Sequence, residues 1–560
     1  MATGSGERAR VTGAPGRGQQ NPGRLVGRLV VGLLLGLVAA LLLTLLQLAM
    51  RRWLGISPPQ EMIPDRLAPA IGIDRFLDTL RRFGGYNQAK RIGFQTGLTG
   101  VLVAGTLIGG LYAVATEWRR GRDASMTAGR RRGARFIAVA GFSMWVLSTI
   151  VLWPTLDTNF KGLPPRWAQL ATAAGYAFAY AVFAVVVVTL YTFLDRPALD
   201  TRPDSADDVA RVPGDRILLP RLPVVAALGA LTAWPALSLL RWFEDRATFS
   251  YDGRRYSGTG IEPITPNGSF YSVTKNLVDP DVHRGVYRLA VDGMVDRSLH
   301  LTYDDLVGMG GTEQETTIMC ISNRISAGLM SNAVWTGVPL SRLLDDAGAD
   351  RNGYEVVLRG ADGYTDTIPM AKALEPTTMV VWKMNGEDLP RVNGDPVRAI
   401  VPGLYGEKQV KWLTGIEVVD HDVQGFYEEQ GWGPDFVVPT RSDFFSPRVT
   451  SDGGYVFADE FRRGHSVRLR GRAFAGSRGI RSVEISTDGE ATWQATEIDY
   501  QTTPLAWVFW SFTWIPRITG EAALAVRAVD GEGAAQETRR RASFPREADT
   551  GLHRVRAVVR

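Results

Sequence analysis

The sequence predicts a multi-domain chain with an N-terminal all-α transmembrane bundle of five spans, a central α+β domain and a C-terminal all-β sandwich of immunoglobulin type. Long apolar runs are confined to the first 241 residues, short β-rich segments begin near residue 258, and strand-like alternation follows from about residue 440. A chain of 560 residues exceeds what one hydrophobic core supports. We expect a disordered basic N-terminus over 1–24, transmembrane helices over 25–241, the α+β domain over 242–438, the sandwich over 439–548 and a basic tail over 549–560.

Five apolar runs near the N-terminus are long enough to cross a bilayer as helices. They cover residues 29–50, 92–115, 136–153, 170–191 and 223–240. Cytoplasmic loops of membrane proteins carry an excess of arginine and lysine. The densest arginine cluster, residues 119–135, lies between the second and third runs. We therefore expect a multi-pass cell-membrane protein with a cytoplasmic N-terminus and an extracytoplasmic soluble half.

The composition excludes several classes of site. The net charge is +5, but the basic residues lie beside apolar runs, which favours a lipid bilayer over nucleic acid as the partner. One cysteine excludes an internal disulfide and a multi-cysteine zinc site. All five histidines follow the last apolar run, so paired histidines cannot hold a haem among the helices. The helices are therefore predicted to serve as an anchor.

The central part shows turn signals and one amphipathic helix. Asp292-Gly293, Asp362-Gly363 and Asn385-Gly386 separate short β-rich segments. Within residues 339–347, the three leucines share one helical face. This mixture of strands with a few helices is typical of an α+β domain.

The C-terminal part is predicted to be all β. Residues 466–470, 482–486 and 524–528 alternate between apolar and polar side chains, and Thr487-Asp488-Gly489 is a hairpin signal. Large aromatic residues should fill the space between two sheets. The expected core residues are Trp493, Trp507, Trp510 and Trp514.

Cys320 ends an apolar, strand-like run and is followed at once by polar and cationic residues. A lone cysteine is most often buried and inert. It can also be a soft metal ligand or a nucleophile, with Arg324 placed to hold it as a thiolate. A cysteine hydrolase would need a base, and the nearest histidine in sequence is His300. The residues alone leave these three interpretations open.

Several motifs occur in one order along the chain. Residues 320–323 read Cys-Ile-Ser-Asn, residues 335–340 read Trp-Thr-Gly-Val-Pro-Leu, and residues 363–369 read Gly-Tyr-Thr-Asp-Thr-Ile-Pro. Residues 401–413 run from Val-Pro-Gly to Val-Lys-Trp-Leu. Together with the loop 270–276 and the final sandwich, they resemble the sulfite oxidase family. The resemblance covers about residues 258–545 and leaves out the membrane half, although membrane-anchored members of the superfamily are familiar from actinobacteria.

This resemblance implies a molybdenum–molybdopterin cofactor, with molybdenum held by the pterin dithiolene and by the Cys320 thiolate. Lys408, Lys411 and backbone N–H groups near Gly406 would neutralise the cofactor's phosphate. Arg324 would face an oxyanion substrate, and Tyr364 would hydrogen-bond the substrate. The cofactor-binding residues implied are Tyr271, Thr274, Lys275, Asn276, Asn323, Arg398, Gly406, Lys408 and Lys411.

Two departures from the family pattern bear on the substrate. Ile325 follows Arg324 where animal and plant sulfite oxidases have a second arginine, and Thr274 and Asn276 align with an arginine and a histidine of the family's first cofactor loop. A less positive pocket binds a dianion less well. The resemblance therefore implies a neutral or monoanionic oxide as well as sulfite.

The expected function is two-electron oxygen-atom transfer on a small oxo substrate. No haem, iron–sulfur or flavin motif occurs in the sequence, so electrons would pass to or from a separate donor or acceptor, which the anchor would place at the membrane. The family's dimerisation domain implies a homodimer. The alternative is a membrane-anchored immunoglobulin-like binding protein whose cofactor domain is degenerate. Elemental analysis for molybdenum separates the two.

Overall fold

Six helices lie in the described portion of the N-terminal part of the protein. The computed structural model describes residues 22–71, 75, 78–79, 82–84, 86–117, 126–153, 156, 165–194, 222–246, 259–433, 436–451, 454–539 and 549–560. The predicted disordered N-terminus lies outside the described residues, except for 22–24, which are helical. The helices are α1 (Pro22–Leu54), α2 (Pro59–Ile71), α3 (Tyr86–Glu117), α4 (Met126–Leu152), α5 (Pro165–Leu194) and α6 (Leu222–Arg246).

Four helical segments are long and apolar enough to cross a membrane. They are Leu25–Leu54, Asn87–Glu117, Gly129–Leu152 and Trp167–Leu194. The fifth predicted span falls within α6, which contains Pro235 and is not among the described segments that qualify. The structure therefore supports four spans by length and composition, and the prediction of five is not confirmed.

The chain divides into two compact units. The first comprises residues 1–49, 96–148 and 175–241, and the second comprises 50–95, 149–174 and 242–560. In the first unit, α1 and α3 pack through glycines: a Cβ at Gly36 would overlap the Gly105 carbonyl oxygen, and one at Gly109 would overlap that of Gly32. Small residues let membrane helices approach closely, which increases their van der Waals contact.

Two sheets and three short helices form the central domain of the second unit. A mixed sheet has the order β2-β1-β10-β5-β6, and a second sheet has the order β3-β4-β7-β8 with β9 also paired to β7. The helices are α7 (Tyr303–Gly308), α8 (Leu340–Ala347) and α9 (Met370–Ala373). The strands are β1 (Leu289–Gly293), β2 (Leu299–Leu301), β3 (Thr312–Met319), β4 (Met330–Pro339), β5 (Glu355–Gly360), β6 (Thr365–Pro369), β7 (Met379–Met384), β8 (Glu387–Asp388), β9 (Arg398–Ile400) and β10 (Leu413–Val419).

Local sequence signals explain several of these elements. The predicted α8 buries Leu340, Leu343 and Leu344 against the core and ends at Gly348, whose φ of 66° suits glycine. Asn385 and Gly386 both have positive φ and join β7 to β8 in a two-residue hairpin. The α+β prediction is confirmed for this domain.

The C-terminal domain is β-rich and has two sheets. Their orders are β11-β14-β18-β17 and β12-β13-β20-β19-β15-β16. Residues of both sheets share one core, which includes Leu469, Trp510, Ile485 and Val526. An immunoglobulin-type topology stays a prediction. The strands are β11 (Arg441–Ser446), β12 (Val449–Ser451), β13 (Tyr455–Phe457), β14 (Val467–Phe474), β15 (Ile480–Ser486), β16 (Gln494–Ala495), β17 (Glu497–Tyr500), β18 (Val508–Trp514), β19 (Gly520–Asp530) and β20 (His553–Val559).

Two predictions for this domain are wrong. Residues 549–560 are not a basic tail, because they contain β20, which pairs with both β19 and β13. Its arginines alternate with buried His553, Val555, Ala557 and Val559, a period of two that fits a half-buried strand. Trp507, Trp510 and Trp514 are buried as predicted, but Trp493 is only half-buried and carries the Arg527 guanidinium 4.2 Å from its ring centroid.

We expect His553 to make the stability of this domain depend on pH. Its Nδ1 accepts the Phe444 N–H at 3.0 Å, and burial lowers its pKa from 6.5 to about 4. Between these two pH values the imidazole is protonated in the unfolded chain but not in the folded protein. The free energy of unfolding therefore decreases by roughly 3 kcal/mol as pH falls from 6.5 towards 4. Denaturant unfolding of the full chain in detergent, at pH 6.5 and at pH 4, measures this loss of stability. His553→Asn keeps an acceptor for Phe444 and should lose this part of the slope; equal slopes would contradict the assignment.

Candidate cofactor site

Cys320 lies directly after β3, at the end of a strand whose last residues are buried. Its N–H donates to the Leu329 carbonyl at 3.0 Å, and its Sγ lies 3.0 Å from Ser322 Oγ. The residue is 9% exposed. Burial, with a further contribution from Glu407, raises the pKa of the thiol to about 12, and Ser322 opposes the shift. Arg324 is exposed and is not among the groups that shift the pKa of this thiol, so its role in holding a thiolate stays a prediction. A thiol with a raised pKa stays protonated and is a poor nucleophile, which disfavours a cysteine nucleophile at this position.

Tyr271 and Gly406 lie beside Cys320. The buried ring of Tyr271 stacks on Phe270, with centroids 5.7 Å apart. Burial raises the pKa of Tyr271, and Cys320 raises it further. A Cβ at Gly406 would lie 2.5 Å from Tyr271 Oη and 3.5 Å from the Met319 carbonyl oxygen. A side chain at residue 406, in a 3-10 turn (Gly406–Lys408), would therefore have to displace the Tyr271 hydroxyl.

Asn323 supplies a buried donor near this thiol. Its Oδ1 accepts the Leu329 N–H at 2.9 Å, and its own N–H donates to the Cys320 carbonyl at 2.9 Å. The side chain is almost fully buried, yet Nδ2 has no hydrogen-bond partner among the described residues. Buried polar groups are nearly always paired, so this amide fits a ligand that brings an acceptor.

Arg398, which is buried, and Lys411, which is half-buried, form a pair of neighbouring cations. Arg398 is 4% exposed and donates to the carbonyls of Asn393 (3.0 Å) and Gln409 (3.2 Å). Lys411 Nζ lies within 3.5 Å of Val392 O, Val273 O and Ser272 Oγ, at 3.0, 3.2 and 3.4 Å. Neither cation makes an ion pair with a carboxylate among the described residues.

The electrostatics of this pair point to an anion. Burial lowers the pKa of Arg398 to about 10 and that of Lys411 to about 8. Asp279 and Asp362 raise the pKa of Lys411, whereas Arg398 lowers it. The Nε of Arg398 is buried and unpartnered within the described part of the chain. Two desolvated cations side by side are costly unless an anion lies between them, so the residues fit a bound phosphate.

The predicted loop residues Thr274, Lys275 and Asn276 adjoin this cation pair but contact one another and Asp362. Thr274 Oγ1 accepts the Asn276 N–H at 3.1 Å, and Asn276 Nδ2 donates to Asp362 Oδ2 at 2.8 Å. Lys275 Nζ lies 5.3 Å from the Phe426 ring centroid and opposes the burial that raises the pKa of Asp362. These contacts fix the shape of the loop.

Lys408 and Tyr364 belong to a separate ion cluster. Lys408 Nζ lies 2.6 Å from Asp366 Oδ1 and 3.0 Å from Glu428 Oε1. The Tyr364 hydroxyl lies 2.8 Å from Asp366 Oδ2 and 3.0 Å from the Glu407 carbonyl oxygen. The charge of Lys408 is thus already compensated, and the prediction that it neutralises the phosphate is not supported.

Sequence reasoning missed three polar residues close to the segment 320–327. Glu407 is half-buried with one buried carboxylate oxygen, and the desolvation of the carboxyl raises its pKa to about 8. From the C-terminal domain, Arg441 Nη1 donates to the Asn323 carbonyl at 2.8 Å, and Arg472 Nη2 donates to the Ala327 carbonyl at 2.7 Å. Glu407 lay inside a recognised motif, but nothing local marks the two strand arginines as neighbours of residues 323–327.

The second unit matches two family models. Residues 276–427 match the oxidoreductase molybdopterin binding domain, and residues 453–556 match the Mo-co oxidoreductase dimerisation domain. Mitochondrial sulfite oxidase of Homo sapiens is 31% identical over 315 residues, covering 48% of this chain and 56% of that relative. NADH nitrate reductase of Volvox carteri is 29% identical over 305 residues, covering 44% of this chain and 34% of that relative.

A solved structure is also similar. The sulfane dehydrogenase SoxCD from Paracoccus pantotrophus superposes with a TM-score of 0.47 at 26% identity, covering 54% of this chain and 85% of that one. The chain spans about half the length of the sulfite oxidases it matches. The two matched domains, in the same order as the sequence motifs, account for most of residues 276–556. Over this region the chain contains the molybdopterin-binding and dimerisation domains of the sulfite oxidase-like oxidoreductases, and these domains imply a molybdenum–molybdopterin cofactor.

Proposed function

We propose that this protein is a membrane-anchored molybdenum–molybdopterin oxidoreductase that transfers an oxygen atom, with two electrons, to or from a small oxo substrate. The observation that carries this proposal is the pair formed by the buried Arg398 and the half-buried Lys411, whose charges no described carboxylate pairs with at ion-pair distance. The terminal phosphate of a pterin cofactor would compensate both charges.

Different residues of the site would hold different parts of the cofactor. Cys320 would bind the metal, and Arg398 and Lys411 would bind the phosphate. The Nδ2 of Asn323, which has no partner in the part of the chain that the structure describes, would donate to an acceptor near the thiol. When bound, molybdenum supplies a centre that exchanges electrons in pairs. Gly406 leaves the space that a side chain would fill, and Tyr271 closes the apolar side of the thiol. Lys408 and Tyr364 would act indirectly, by holding the turn that contains Gly406.

The substrate is proposed to carry one negative charge or none. Arg324 is an exposed cation four residues after Cys320, whereas Ile325 is buried where the sulfite oxidase pattern has a second arginine. A single exposed cation attracts a monoanion and neutralises a dianion poorly. A sulfite-like monoanion and a neutral S-oxide or N-oxide both suit this arrangement.

The catalytic domain is proposed to lie on the extracytoplasmic face. The end of α1 and the start of α3 belong to the second unit, where Arg51 and Lys90 contact the loop 272–278. The opposite end of α3 leads to the arginine-rich residues 130–135, which the positive-inside rule assigns to the cytoplasm. This sidedness needs α6 to cross the bilayer as well, and its 25 residues are about 37 Å long as a helix.

The assembly is proposed to be a homodimer that exchanges electrons with a separate protein or small carrier at the membrane. The match of residues 453–556 to a dimerisation domain supports the first part. The sequence motifs offer no second redox centre within the chain, which supports the second part.

Molybdenum content tests the proposed function. Full-length protein from a host that makes molybdopterin should contain about one molybdenum per chain, measured by elemental analysis together with the fluorescence of released, oxidised pterin. The same protein from a host unable to make molybdopterin is the control. Dye-linked turnover with sulfite, an S-oxide and an N-oxide then identifies the substrate class. Folded protein with neither metal nor pterin would favour the alternative of a binding protein with a degenerate cofactor domain.

A further inference from the structure

We propose that Arg51 and Lys90 are positioning residues for the loop 272–278. Arg51 lies near the C-terminal end of α1, and Lys90 lies near the N-terminal end of α3. We call the two residues the membrane-side clamp and residues 272–278 the cofactor loop. The proposal rests on the proposed function for what the loop holds, but the clamp itself is a property of the protein alone. It gives the membrane helices a role in the cofactor site beyond anchoring.

The cofactor loop needs donors from outside its own backbone. It lies outside every strand and helix, and most of its residues are buried. A buried carbonyl without a hydrogen bond is costly, so each must find a donor. In a sheet these donors come from the neighbouring strand, whereas here they come from cationic side chains.

Two of these cations come from the central domain. Lys411 Nζ donates to the Val273 carbonyl at 3.2 Å, and Arg391 Nη1 donates to the Asp279 carbonyl at 2.9 Å. They attach to the loop near its start, at Val273, and to the residue that directly follows it, Asp279. Because Lys411 is also one of the two cations of the phosphate site, the position of the loop and that of the site are linked.

The other cations come from the helix ends. Lys90 Nζ donates to the carbonyls of Thr274 and Asn276, at 2.5 and 2.7 Å, and Arg51 Nη2 donates to the Val278 carbonyl at 2.9 Å. They therefore act on the middle of the loop, between the two attachments from the central domain. Thr274 and Asn276 are also residues that the sequence motifs assign to the cofactor.

Arg51 is itself held firmly. Its Nε and Nη2 lie 2.8 and 3.1 Å from the two carboxylate oxygens of Glu61, in the first turn of α2, and both side chains are buried. A bidentate pair of this kind fixes the guanidinium in one orientation. The Val278 carbonyl thus meets a donor whose position is set by α1 and α2, so displacement of these helix ends would displace the loop.

The test compares full-length wild type, Lys90→Met, Lys90→Arg and the control Arg82→Met, all in detergent. Arg82 is an exposed cation shortly before α3. The first readout is amide hydrogen exchange of peptides covering residues 272–279 in cofactor-free protein. Loss of two charge-assisted hydrogen bonds should accelerate exchange there about tenfold or more in Lys90→Met. Lys90→Arg keeps a cation and should restore protection, whereas Arg82→Met should match wild type.

The second readout is the rate at which loaded protein releases pterin at equal thermal stability. We expect faster release from Lys90→Met by a similar factor, with rescue by Lys90→Arg. Unchanged exchange over 272–279, or an increase spread equally over the C-terminal domain, would overturn the clamp. Wild type that binds no molybdenum would instead overturn the proposed function, and the exchange experiment on cofactor-free protein would still decide the clamp.

Discussion

Replacing Cys320 by serine is expected to lower turnover by at least about a hundredfold while leaving the fold intact. Even changes around a metal's direct ligands often cost 10- to 100-fold in activity. Cys320 would be a direct ligand, and a serine hydroxyl is a hard donor where a metal that exchanges electron pairs needs soft sulfur. A hydroxyl can keep the hydrogen bond that Sγ makes with Ser322 at 3.0 Å, so little stability should be lost. Turnover with a redox dye and the molybdenum spectroscopic signal together measure the effect.

Ser322→Ala is the matched control for this experiment. It removes the hydrogen-bond partner of the thiol and keeps the sulfur, so it should retain most of the bound molybdenum. If Cys320→Ser kept wild-type turnover, the sulfur could not be a metal ligand, and Cys320 would be an ordinary buried residue of the apolar cluster around Phe270 and Trp335.

Replacing Arg398 or Lys411 by methionine is expected to have opposite effects on cofactor retention and on the stability of the cofactor-free protein. Removing one member of a buried charge pair costs about 2–5 kcal/mol when the partner is an anion, which corresponds to at least about a thirtyfold loss of affinity. Without the anion, the same change relieves repulsion between the two cations, and this gain offsets the loss of their hydrogen bonds to backbone carbonyls. Molybdenum content should therefore fall while the melting temperature of the cofactor-free protein stays equal or rises.

Lower molybdenum content without lower stability of the cofactor-free protein would indicate a phosphate site, whereas a loss of stability would indicate a structural role. Lys372→Met is the control, because Lys372 pairs with the half-exposed Glu375 three residues later and should affect neither quantity strongly. If Arg398→Met destabilised the cofactor-free protein by several kcal/mol, the hydrogen bonds to the Asn393 and Gln409 carbonyls would be the main role of the guanidinium. The proposed function would then lose the observation on which it depends.

Hydrogen-bond partners distinguish the two lysines that were predicted to bind the cofactor. Lys408 and Lys411 occur in one motif three residues apart, and both were predicted to bind the phosphate. The structure gives Lys408 two carboxylates and Lys411 only neutral oxygens within hydrogen-bond distance. Asp366 and Glu428 are 42 and 20 residues away from Lys408 in sequence, so no local pattern reveals this compensation.

The sequence by itself determined the division of the chain, because apolar runs, turn signals and period-two alternation are local consequences of burial and backbone geometry. It predicted α8, the Asn385-Gly386 hairpin and the motifs around Cys320 and Gly406. The sequence of residues 553–559 also alternates between buried and arginine positions, which is typical of a strand. The arginines of that segment nevertheless led to the prediction of a basic tail.

Only the tertiary structure decided which charges are compensated and which are left for a ligand. The state of a buried ion depends on its distance from other ions and from water, and these neighbours come from remote segments. The raised pKa of Cys320, the lone cations Arg398 and Lys411, and the contacts of Lys90 with the cofactor loop all arise in this way. Sequence spacing fixes the order of such groups along the chain, whereas packing fixes the distances that determine their chemistry.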